Sequence, residues 1–140
     1  MKVCLDTNVV VSAVATRGLC TDLLAVILAE HDLVLGETVL AELQQVLARK
    51  LGLPKETMRE LDAFLRRQAT IIPTSSRAPH ASLDAADARV LDEAATRGAD
   101  VLVTGDGGLL TVSDPPLEIV SPRGLWERLR SGPHGPRRAT

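Results

Sequence analysis

Residues 100–106 read DVLVTGD, and this stretch decides the fold. Residues 100–103 form an almost uninterrupted apolar run, which is typical of a strand that is buried on both of its faces. Other short apolar runs occupy residues 2–5, 33–35, 70–72 and 118–120. Longer segments with helical periodicity separate these runs. Strands that alternate with helices indicate an α/β domain with a mostly parallel sheet.

The helices are predicted at residues 21–30, 38–50, 55–68, 84–96 and 122–129. Among them, residues 38–50 have the clearest amphipathic pattern. Residues 74–82 are polar and predict a loop. The last ten residues contain Gly, Pro and Arg but no apolar anchor. We therefore predict one domain over residues 1–130 and a flexible tail over residues 131–140.

The composition suits a globular domain rather than a membrane-spanning or disulfide-stabilised protein. The chain has 140 residues, of which 45% are hydrophobic and 24% are charged. The two cysteines form no metal-binding pattern, and Cys4 lies within an apolar run, where a small core residue is expected. The sequence contains no signal-peptide pattern and no apolar run of membrane-spanning length. A cytoplasmic location without membrane attachment is therefore expected.

Charge and aromatic content both bear on nucleic-acid binding. Aromatic residues make up only 1% of the chain, which argues against a surface that stacks single-stranded bases. The formal net charge of −2 is mild evidence against a nucleic-acid binder, because such proteins are often basic. However, metal ions bound at an acidic site would neutralise part of that charge, and the formal count does not include them.

Two aspartates closely follow predicted strands. Asp6 comes directly after the apolar residues 3–5, and Asp106 lies three residues beyond the strand at 100–103. In open parallel sheets, ligands bind beyond the carboxyl ends of the strands, and both side chains are expected there. Each aspartate also has a purely structural explanation. Asp6 could be a helix N-cap, and Asp106 could be a turn residue in the run Gly-Asp-Gly-Gly.

Glu42 and Asp87 stand beside the apolar stripes of two predicted helices. Glu42 lies three residues after Val39, and Asp87 lies three residues before Val90. A carboxylate that faces inward is costly unless it is paired or bound to a cation. Structural explanations exist here too. Glu42 could lie at the rim of the core, and Asp87 could stabilise a helix N-terminus that Asp84 caps.

Taken together, these acids predict a metal site. The four that are expected at one edge of a parallel sheet are Asp6, Glu42, Asp87 and Asp106. Crowded carboxylates without partners repel one another and raise their own pKa values, and divalent cations relieve that repulsion. Ligands that are all oxygen favour Mg²⁺ or Mn²⁺ over zinc. Since carboxylates with Mg²⁺ commonly serve phosphoryl transfer, the residues alone predict a metal-dependent phosphoryl-transfer site.

Four blocks of the sequence together resemble the PIN-domain family, and most closely its bacterial and archaeal branch of toxins from toxin–antitoxin pairs. The blocks are LDTNVVVSA, TVLAELQQVL, DAADARVLDEAATRGADVLVTGD and the LL that follows. The resemblance extends from Lys2 to about Val120. It implies a parallel five-stranded sheet with helices on both faces. It also implies endonucleolytic cleavage of single-stranded RNA by metal-activated, in-line water attack, which leaves a 3′-hydroxyl and a 5′-phosphate.

The resemblance assigns the catalytic and metal-binding role to the same four acids. Asp6, Glu42 and Asp87 match the three metal-binding acids of the family, and Asp106 matches the usual fourth. The implied cofactor is Mg²⁺ or Mn²⁺. Close relatives often carry Lys-Asp after the Gly-Asp pair, whereas this chain has glycines at 107–108. Weaker metal binding or an altered substrate preference is an expected consequence of that difference.

Supporting roles are implied for several other residues. Asn8 matches a polar residue that orients the first aspartate, and Thr104 matches a hydroxyl residue near the last one. Asp84 fits a position that is often acidic in this branch, where it would be an auxiliary ligand or simply a helix cap. Arg17 and Arg89 lie near the predicted site and are the basic residues most expected to contact phosphate.

Two other functions compete with that of a nuclease. A phosphatase with a phosphorylated aspartate would need a second aspartate at position 8, which is Asn8, and a receiver domain would need a lysine that residues 101–110 lack. The second alternative is a catalytically degenerate PIN domain that binds RNA or protein. The presence of all four acids argues against it, and the glycines at 107–108 keep it open.

The expected partners follow from the resemblance. The substrate would be RNA, and a cognate antitoxin would bind near the acidic pocket and insert an arginine among the acids. A homodimer is a further expectation, because residues 23–28 are rich in Leu and Ala and could expose apolar surface.

Overall fold

The computed structural model describes residues 1–73, 85–96 and 98–131, and its centre is a five-stranded sheet. The strands are β1 (Lys2–Leu5), β2 (Asp32–Gly36), β3 (Ala69–Ile72), β4 (Val101–Val103) and β5 (Glu118–Val120). They are all parallel and follow the spatial order β3-β2-β1-β4-β5. The first strand in sequence is therefore the central one.

Helices precede or follow each strand in the described part of the chain. They are α1 (Thr7–Ala15), α2 (Leu19–Glu30), α3 (Glu37–Lys50), α4 (Lys55–Gln68), α5 (Ala85–Thr96), α6 (Gly107–Leu110) and α7 (Pro122–Ser131). In the central strand β1 and its neighbour β4, side chains on both faces are buried. They are Val3, Cys4 and Leu5 in β1, and Val101, Leu102 and Val103 in β4. Since successive side chains alternate between the faces of a sheet, both faces are covered. The predicted α/β fold is confirmed.

The boundaries differ from the sequence prediction at a few points. The helix α1 was considered only as the alternative explanation of Asp6, and the short helix α6 was not predicted. The strand β4 begins at Val101 rather than at Asp100, whose carboxylate accepts a hydrogen bond from the backbone of Lys2 at 2.7 Å. The predicted loop at 74–82 and residues 132–140 of the predicted tail lie outside the described residues, so those predictions stay open.

The register of the sheet places two polar residues side by side. Leu5 in β1 is aligned with Val103 in β4. The residues that follow them, Asp6 and Thr104, therefore leave the sheet at the same carboxyl edge. Asp6 extends the ladder by donating its backbone N–H to Val103 O at 2.9 Å. The backbone N–H of Thr104 does the same towards Val120 O at 3.0 Å.

Most of the large apolar side chains on α2 are already covered within the chain. Leu23 and Ile27 are fully buried, and Leu24 and Leu28 pack against the core. This leaves less free apolar surface on α2 than the sequence suggested, and a homodimer stays a prediction. Among the described residues, no single helix is long and apolar enough to cross a membrane. The helices α1 and α2 reach that threshold only as a pair, with a bend of 100° between them.

Arg66 on α4 joins α4 to the start of α3. Its guanidinium donates hydrogen bonds to both carboxylate oxygens of Glu37, at 2.9 and 3.0 Å, and to Asp62 at 2.9 Å. The hydrogen bond from Arg66 lowers the pKa of Glu37. A lowered folded-state pKa means that the stabilisation is complete above the unfolded pKa of about 4.3 and is lost as the pH falls through the folded value.

We expect Arg66→Gln to lower the free energy of unfolding by about 0.5–1 kcal/mol at pH 7 and low salt. The effect is modest because the side chains of Arg66 and Glu37 are 41% and 38% exposed, so solvent screens the pair. The difference from the wild type should shrink below about pH 4, where Glu37 becomes protonated. Urea unfolding at several pH values would measure it.

Arg59→Gln is the matched control for this prediction. Arg59 lies on the same helix and faces Glu56 at 3.5 Å, but both side chains are more than 70% exposed. Its replacement should leave stability within experimental error. Equal losses for the two variants, or a loss for Arg66→Gln that persists at pH 3, would contradict the assignment to the Arg66–Glu37 pair.

Candidate active site

Asp6 lies at the end of the central strand and at the start of α1, so one residue belongs to both elements. It is the N-cap of α1, and its Oδ1 accepts a hydrogen bond from the backbone of Thr7 at 2.7 Å. Its other oxygen, Oδ2, accepts from the hydroxyl of Thr104 at 2.7 Å. The side chain is only 6% exposed. Asp6 is therefore a helix N-cap and also lies at the carboxyl edge of the sheet, so the two explanations of this residue are compatible.

Thr104 connects Asp6 to Asp106. The threonine is completely buried, and its Oγ1 donates to Asp6 while it accepts the backbone N–H of Asp106 at 3.0 Å. Asp106 is half-buried and caps the short helix α6, with its Oδ1 accepting from the backbone of Gly108 at 3.3 Å. A single hydroxyl thus fixes one aspartate through its side chain and the other through its backbone.

Glu42 approaches the same region from α3. It is half-buried, and its Oε1 accepts a hydrogen bond from the hydroxyl of Thr7 at 2.5 Å. Thr7 is itself buried, and its backbone N–H is the donor to Asp6. Thr7 therefore holds Asp6 with its main chain and Glu42 with its side chain. The structure thus brings three of the four predicted acids into one hydrogen-bonded network, which comprises Asp6, Thr7, Glu42, Thr104 and Asp106.

Asp87 and Asn8 are the other predicted site residues that the structure describes. Asp87 is half-buried on the first turn of α5 and has interactions of its own. Among the hydrogen bonds between described residues, none joins Asp87 to the network around Thr104. Asn8 is exposed on α1, and the described hydrogen bonds to the Asp6 carboxylate come from Thr7 and Thr104 instead. Asp84 lies outside the described residues.

Burial, hydrogen bonds and a neighbouring charge have opposing effects on the pKa of Asp6. Burial raises the pKa of Asp6, hydrogen bonds from Thr104 and Thr7 lower it, and the negative charge of Asp106 raises it again. The two hydrogen bonds stabilise the ionised carboxylate, whereas burial and the like charge oppose it. A cation bound between Asp6 and Asp106 would offset the repulsion between their two negative charges.

The donor set suits a hard divalent cation that keeps part of its water shell. Among the described residues, no three Asp, Glu, His or Cys side chains lie close enough together to hold one metal ion. Mg²⁺ does not require such a cage, because it is usually held by one or two carboxylates together with water and phosphate oxygens. Asp6 and Asp106, linked through Thr104, provide two carboxylates and no softer ligand. The residues present therefore fit Mg²⁺ or Mn²⁺ rather than zinc.

The sequence itself shows to which protein family this chain belongs. The sequence matches the PIN domain over residues 2–107. This chain belongs to the PIN-domain family. Members of the family are generally nucleases, so the predicted family and the hydrolase class are both supported.

Several solved chains have a similar fold, whereas no curated protein sequence matches this chain. One structure among them is that of VapBC2 from Rickettsia felis bound to a DNA fragment from its promoter. The matching chain superimposes with a TM-score of 0.63 and 21% sequence identity, over 86% of this chain and 98% of the other. At that identity the likeness concerns the fold, which this PIN domain shares over nearly the full length of the Rickettsia chain.

The glycines at positions 107–108 leave the entrance to the network open. Both are exposed, and a Cβ added at Gly107 would meet no atom within 4 Å. At Gly108 the nearest atom to an added Cβ would be Oδ2 of Asp106, at 3.5 Å. Because glycine has no side chain, positions 107 and 108 place no side-chain atoms beside Asp106. Arg17 and Arg89, the predicted phosphate contacts, are both exposed.

Two residues of this region were missed by the sequence prediction. Thr7 was passed over because a threonine at a helix start carries no signal of its own. Glu93 on α5 is only 1% exposed, and it accepts hydrogen bonds from the backbone N–H and the hydroxyl of Thr38. A signal for Glu93 existed, since it lies three residues after the core residue Val90. That is the same relation to an apolar stripe that singled out Glu42, which lies three residues after Val39.

Cys4 lies in β1 two residues before Asp6 and is a core residue, as predicted. It is 1% exposed. Burial raises the pKa of its thiol to about 12, and the negative charges of Asp6 and Glu93 add to that effect. A neutral, buried thiol is neither a metal ligand nor a nucleophile.

We expect Cys4 to stay unmodified when the native protein is treated with a thiol reagent at pH 8. With a pKa of about 12, only about one thiol in ten thousand would be ionised at that pH, even if the reagent could reach it. The partly exposed Cys20 should react in the native state, more slowly than a free thiol, because burial also raises its pKa. Peptide mass spectrometry before and after denaturation would measure both. Native labelling of Cys4 at the rate of Cys20 would show the interior to be open.

Proposed function

We propose that this protein is an endoribonuclease that depends on Mg²⁺ or Mn²⁺ and that it serves as the toxin of a type II toxin–antitoxin pair. One observation carries the nuclease proposal. The carboxylates of Asp6, Asp106 and Glu42 belong to one hydrogen-bonded network at the carboxyl edge of a PIN-domain sheet. Ligands and substrates of open parallel sheets bind at that edge.

The residues have separate tasks in the proposed reaction. Asp6 and Asp106 would hold the cation, and Thr104 connects the two aspartates. Glu42, held by Thr7, would position water or the cation's water shell. Asp87, on the first turn of α5, is proposed to complete the set. A bound divalent cation would activate water for in-line attack and stabilise the negative charge on the leaving oxygen.

Single-stranded RNA is proposed as the substrate because of the resemblance to the PIN-domain family, and the surroundings of the acids are compatible with it. Gly105, Gly107 and Gly108 are exposed beside Asp106, so a bare phosphodiester can approach without meeting side chains. The low aromatic content leaves few residues that could stack bases, which favours contacts to the backbone over base-specific binding. Arg17 and Arg89 are exposed and are proposed to contact flanking phosphates.

The toxin role is supported by the structural neighbour. Its crystal structure is that of VapBC2, described as bound to a DNA fragment from its promoter. We propose that an antitoxin binds this protein at the carboxyl edge and presents an arginine to the acidic network. A guanidinium forms charge-assisted hydrogen bonds with carboxylates and would take the place of the cation.

The test is cleavage of a mixed single-stranded RNA pool by the purified protein, with Mg²⁺, Mn²⁺ or EDTA. Cleavage that requires the cation and leaves a 5′-phosphate is the expected result. A folded, metal-loaded protein that cuts no RNA would overturn the nuclease proposal, and retention of RNA without cleavage would favour the binding module. Toxicity is tested separately, by induced expression in a bacterial host with and without the Asp6→Asn substitution.

A further inference from the structure

Glu93 is a fully buried carboxylate that the proposed reaction does not use. It lies on α5 and is 1% exposed, although an uncompensated charge in the interior of a protein is strongly destabilising. The charge of Glu93 has interaction partners, among them Thr38 on α3, which donates both its backbone N–H, at 3.2 Å, and its hydroxyl to the carboxylate. The carboxylate thus links α5 to α3 through a contact between two residues that are 55 positions apart in the sequence.

The contact supplies a cap that α3 lacks. The N-cap position of α3 is Gly36, which has no side chain and makes no side-chain capping hydrogen bond. A negative charge at a helix N-terminus is favourable, because unpaired N–H groups point towards it. Gly36 also makes the space for Glu93, since a Cβ added there would overlap Oε1 of the carboxylate. Glycine at 36 and glutamate at 93 are therefore complementary.

The capped turn is directly connected to the acidic network. Thr38 and Glu42 are four residues apart on α3, so their side chains lie one above the other on the same face. Thr38 is held by Glu93, and Glu42 accepts a hydrogen bond from Thr7. The helix α3 is thus attached to α5 and to α1 within a single turn. Loss of the first attachment would let the turn that carries Glu42 shift relative to Asp6.

We propose that Glu93 is a positioning residue for Glu42, and this inference rests on the proposed metal-dependent function of the acidic network. Glu93 touches no substrate. It fixes the start of α3 and thereby the place of the Glu42 carboxylate. Residues that orient metal ligands from behind commonly change metal affinity about ten- to a hundredfold when they are replaced. For Glu93, which acts through one helical turn, we expect the lower end of that range.

The experiment compares Glu93→Gln with Leu47→Ala in the full-length protein. Glutamine keeps the shape but only one accepting oxygen for the two donors of Thr38. Leu47 is fully buried on α3, five residues beyond Glu42, so its truncation lowers stability without altering the capped turn. Two properties are measured in the folded proteins: the ¹³C chemical shift of the Glu42 carboxyl carbon without metal, and the dissociation constant for Mn²⁺.

The expected result is a shifted Glu42 carboxyl signal and an Mn²⁺ dissociation constant about tenfold higher in Glu93→Gln, with neither change in Leu47→Ala. If both variants only lose thermal stability, Glu93 is merely a helix cap and the inference is wrong. Thr38→Val and Thr38→Ser extend the test should Glu93→Gln fail to fold. Valine removes the hydroxyl and should reproduce the shift, whereas serine keeps it and should restore the wild-type values.

The two proposals can fail separately. A wild type that binds no Mn²⁺ and cuts no RNA would refute the proposed function. The Glu42 signal in the metal-free protein would still decide the positioning role, because it reports where the carboxylate lies and not what the protein does. An unchanged Glu42 signal in Glu93→Gln would refute the positioning role even in an active nuclease.

Discussion

Asp6→Asn is expected to abolish RNA cleavage while leaving the protein folded. The substitution removes the negative charge that is proposed to hold the cation but keeps the size of the side chain and an oxygen that can accept from the backbone of Thr7. Loss of a metal-holding charge costs several kcal/mol of transition-state stabilisation, which corresponds to about a thousandfold or more in rate. Single-turnover cleavage of a labelled RNA in Mg²⁺ and in Mn²⁺ would measure the loss.

Stability should move differently from activity in this variant. Burial raises the pKa of Asp6, which means that the folded protein holds an ionised group under unfavourable conditions at neutral pH. Its replacement by neutral asparagine should therefore leave the melting temperature in EDTA unchanged or slightly higher. A gain in stability together with a loss of activity is typical of residues that are kept for function.

The matched control is Asp32→Asn. Asp32 is an exposed aspartate in the same sheet, but it lies at the amino end of β2 and so at the opposite edge from Asp6. Its replacement should leave cleavage and metal affinity at wild-type values. A comparable loss of activity in both variants, or full activity in Asp6→Asn, would show that the carboxyl edge is not the catalytic site.

Thr104→Val is expected to have the second-largest effect, and it should act on stability and metal affinity together. Valine has the shape of threonine but leaves Oδ2 of Asp6 without its donor and the backbone N–H of Asp106 without its acceptor. Each unsatisfied buried group costs about 1–3 kcal/mol, so we expect a loss of about 2–4 kcal/mol in the free energy of unfolding. The melting temperature should fall by roughly 10 °C.

Thr104→Ser separates the hydroxyl from the methyl group at this position. Serine keeps both hydrogen bonds and loses only one buried methyl, for which we expect about 1 kcal/mol and little change in Mn²⁺ affinity. Calorimetry and metal titration on the two variants would measure these effects. If serine and valine weaken metal binding equally, the hydroxyl does not hold the two aspartates in place.

The fold could be predicted from the sequence because its signals are local and agree with one another. The continuous apolar run at β4 indicated a strand that is buried on both faces, and such strands belong to parallel sheets. The helices α1 and α6 were harder to predict for physical reasons. The helix α6 has only four residues, and its existence depends on the cap from Asp106 rather than on an apolar stripe.

The site could be predicted only in part, because sequence position shows which residues reach an edge but not which of them touch. Asp6, Glu42 and Asp106 were singled out by their relation to strand ends and apolar stripes, and all three belong to the network around Thr104 and Thr7. The linking hydroxyl groups gave no such signal on their own. Contact between Thr7 and Glu42 depends on the packing of α1 against α3, which no local pattern specifies.

Glu93 shows that an inward-facing acid can have a role other than metal binding. An acid beside an apolar stripe was a valid criterion, but it does not say whether the carboxylate faces a cation or a helix N-terminus. The answer depends on Gly36, which is 57 residues away in the sequence and provides the space for the carboxylate. Such pairs of distant residues are defined only when the chain is folded.

The extension of the sheet ladder through Asp6 and Thr104 also determines how the site can fluctuate. Both backbone N–H groups are bonded to neighbouring strands, to Val103 O and Val120 O, and both Asp6 and Thr104 are buried. Amides in such positions exchange with solvent only when the whole domain opens. We therefore expect that a small local unfolding event does not displace Asp6. A ligand that blocks the site at Asp6 would have to cover this residue, since displacing it would require the strand ladder to open.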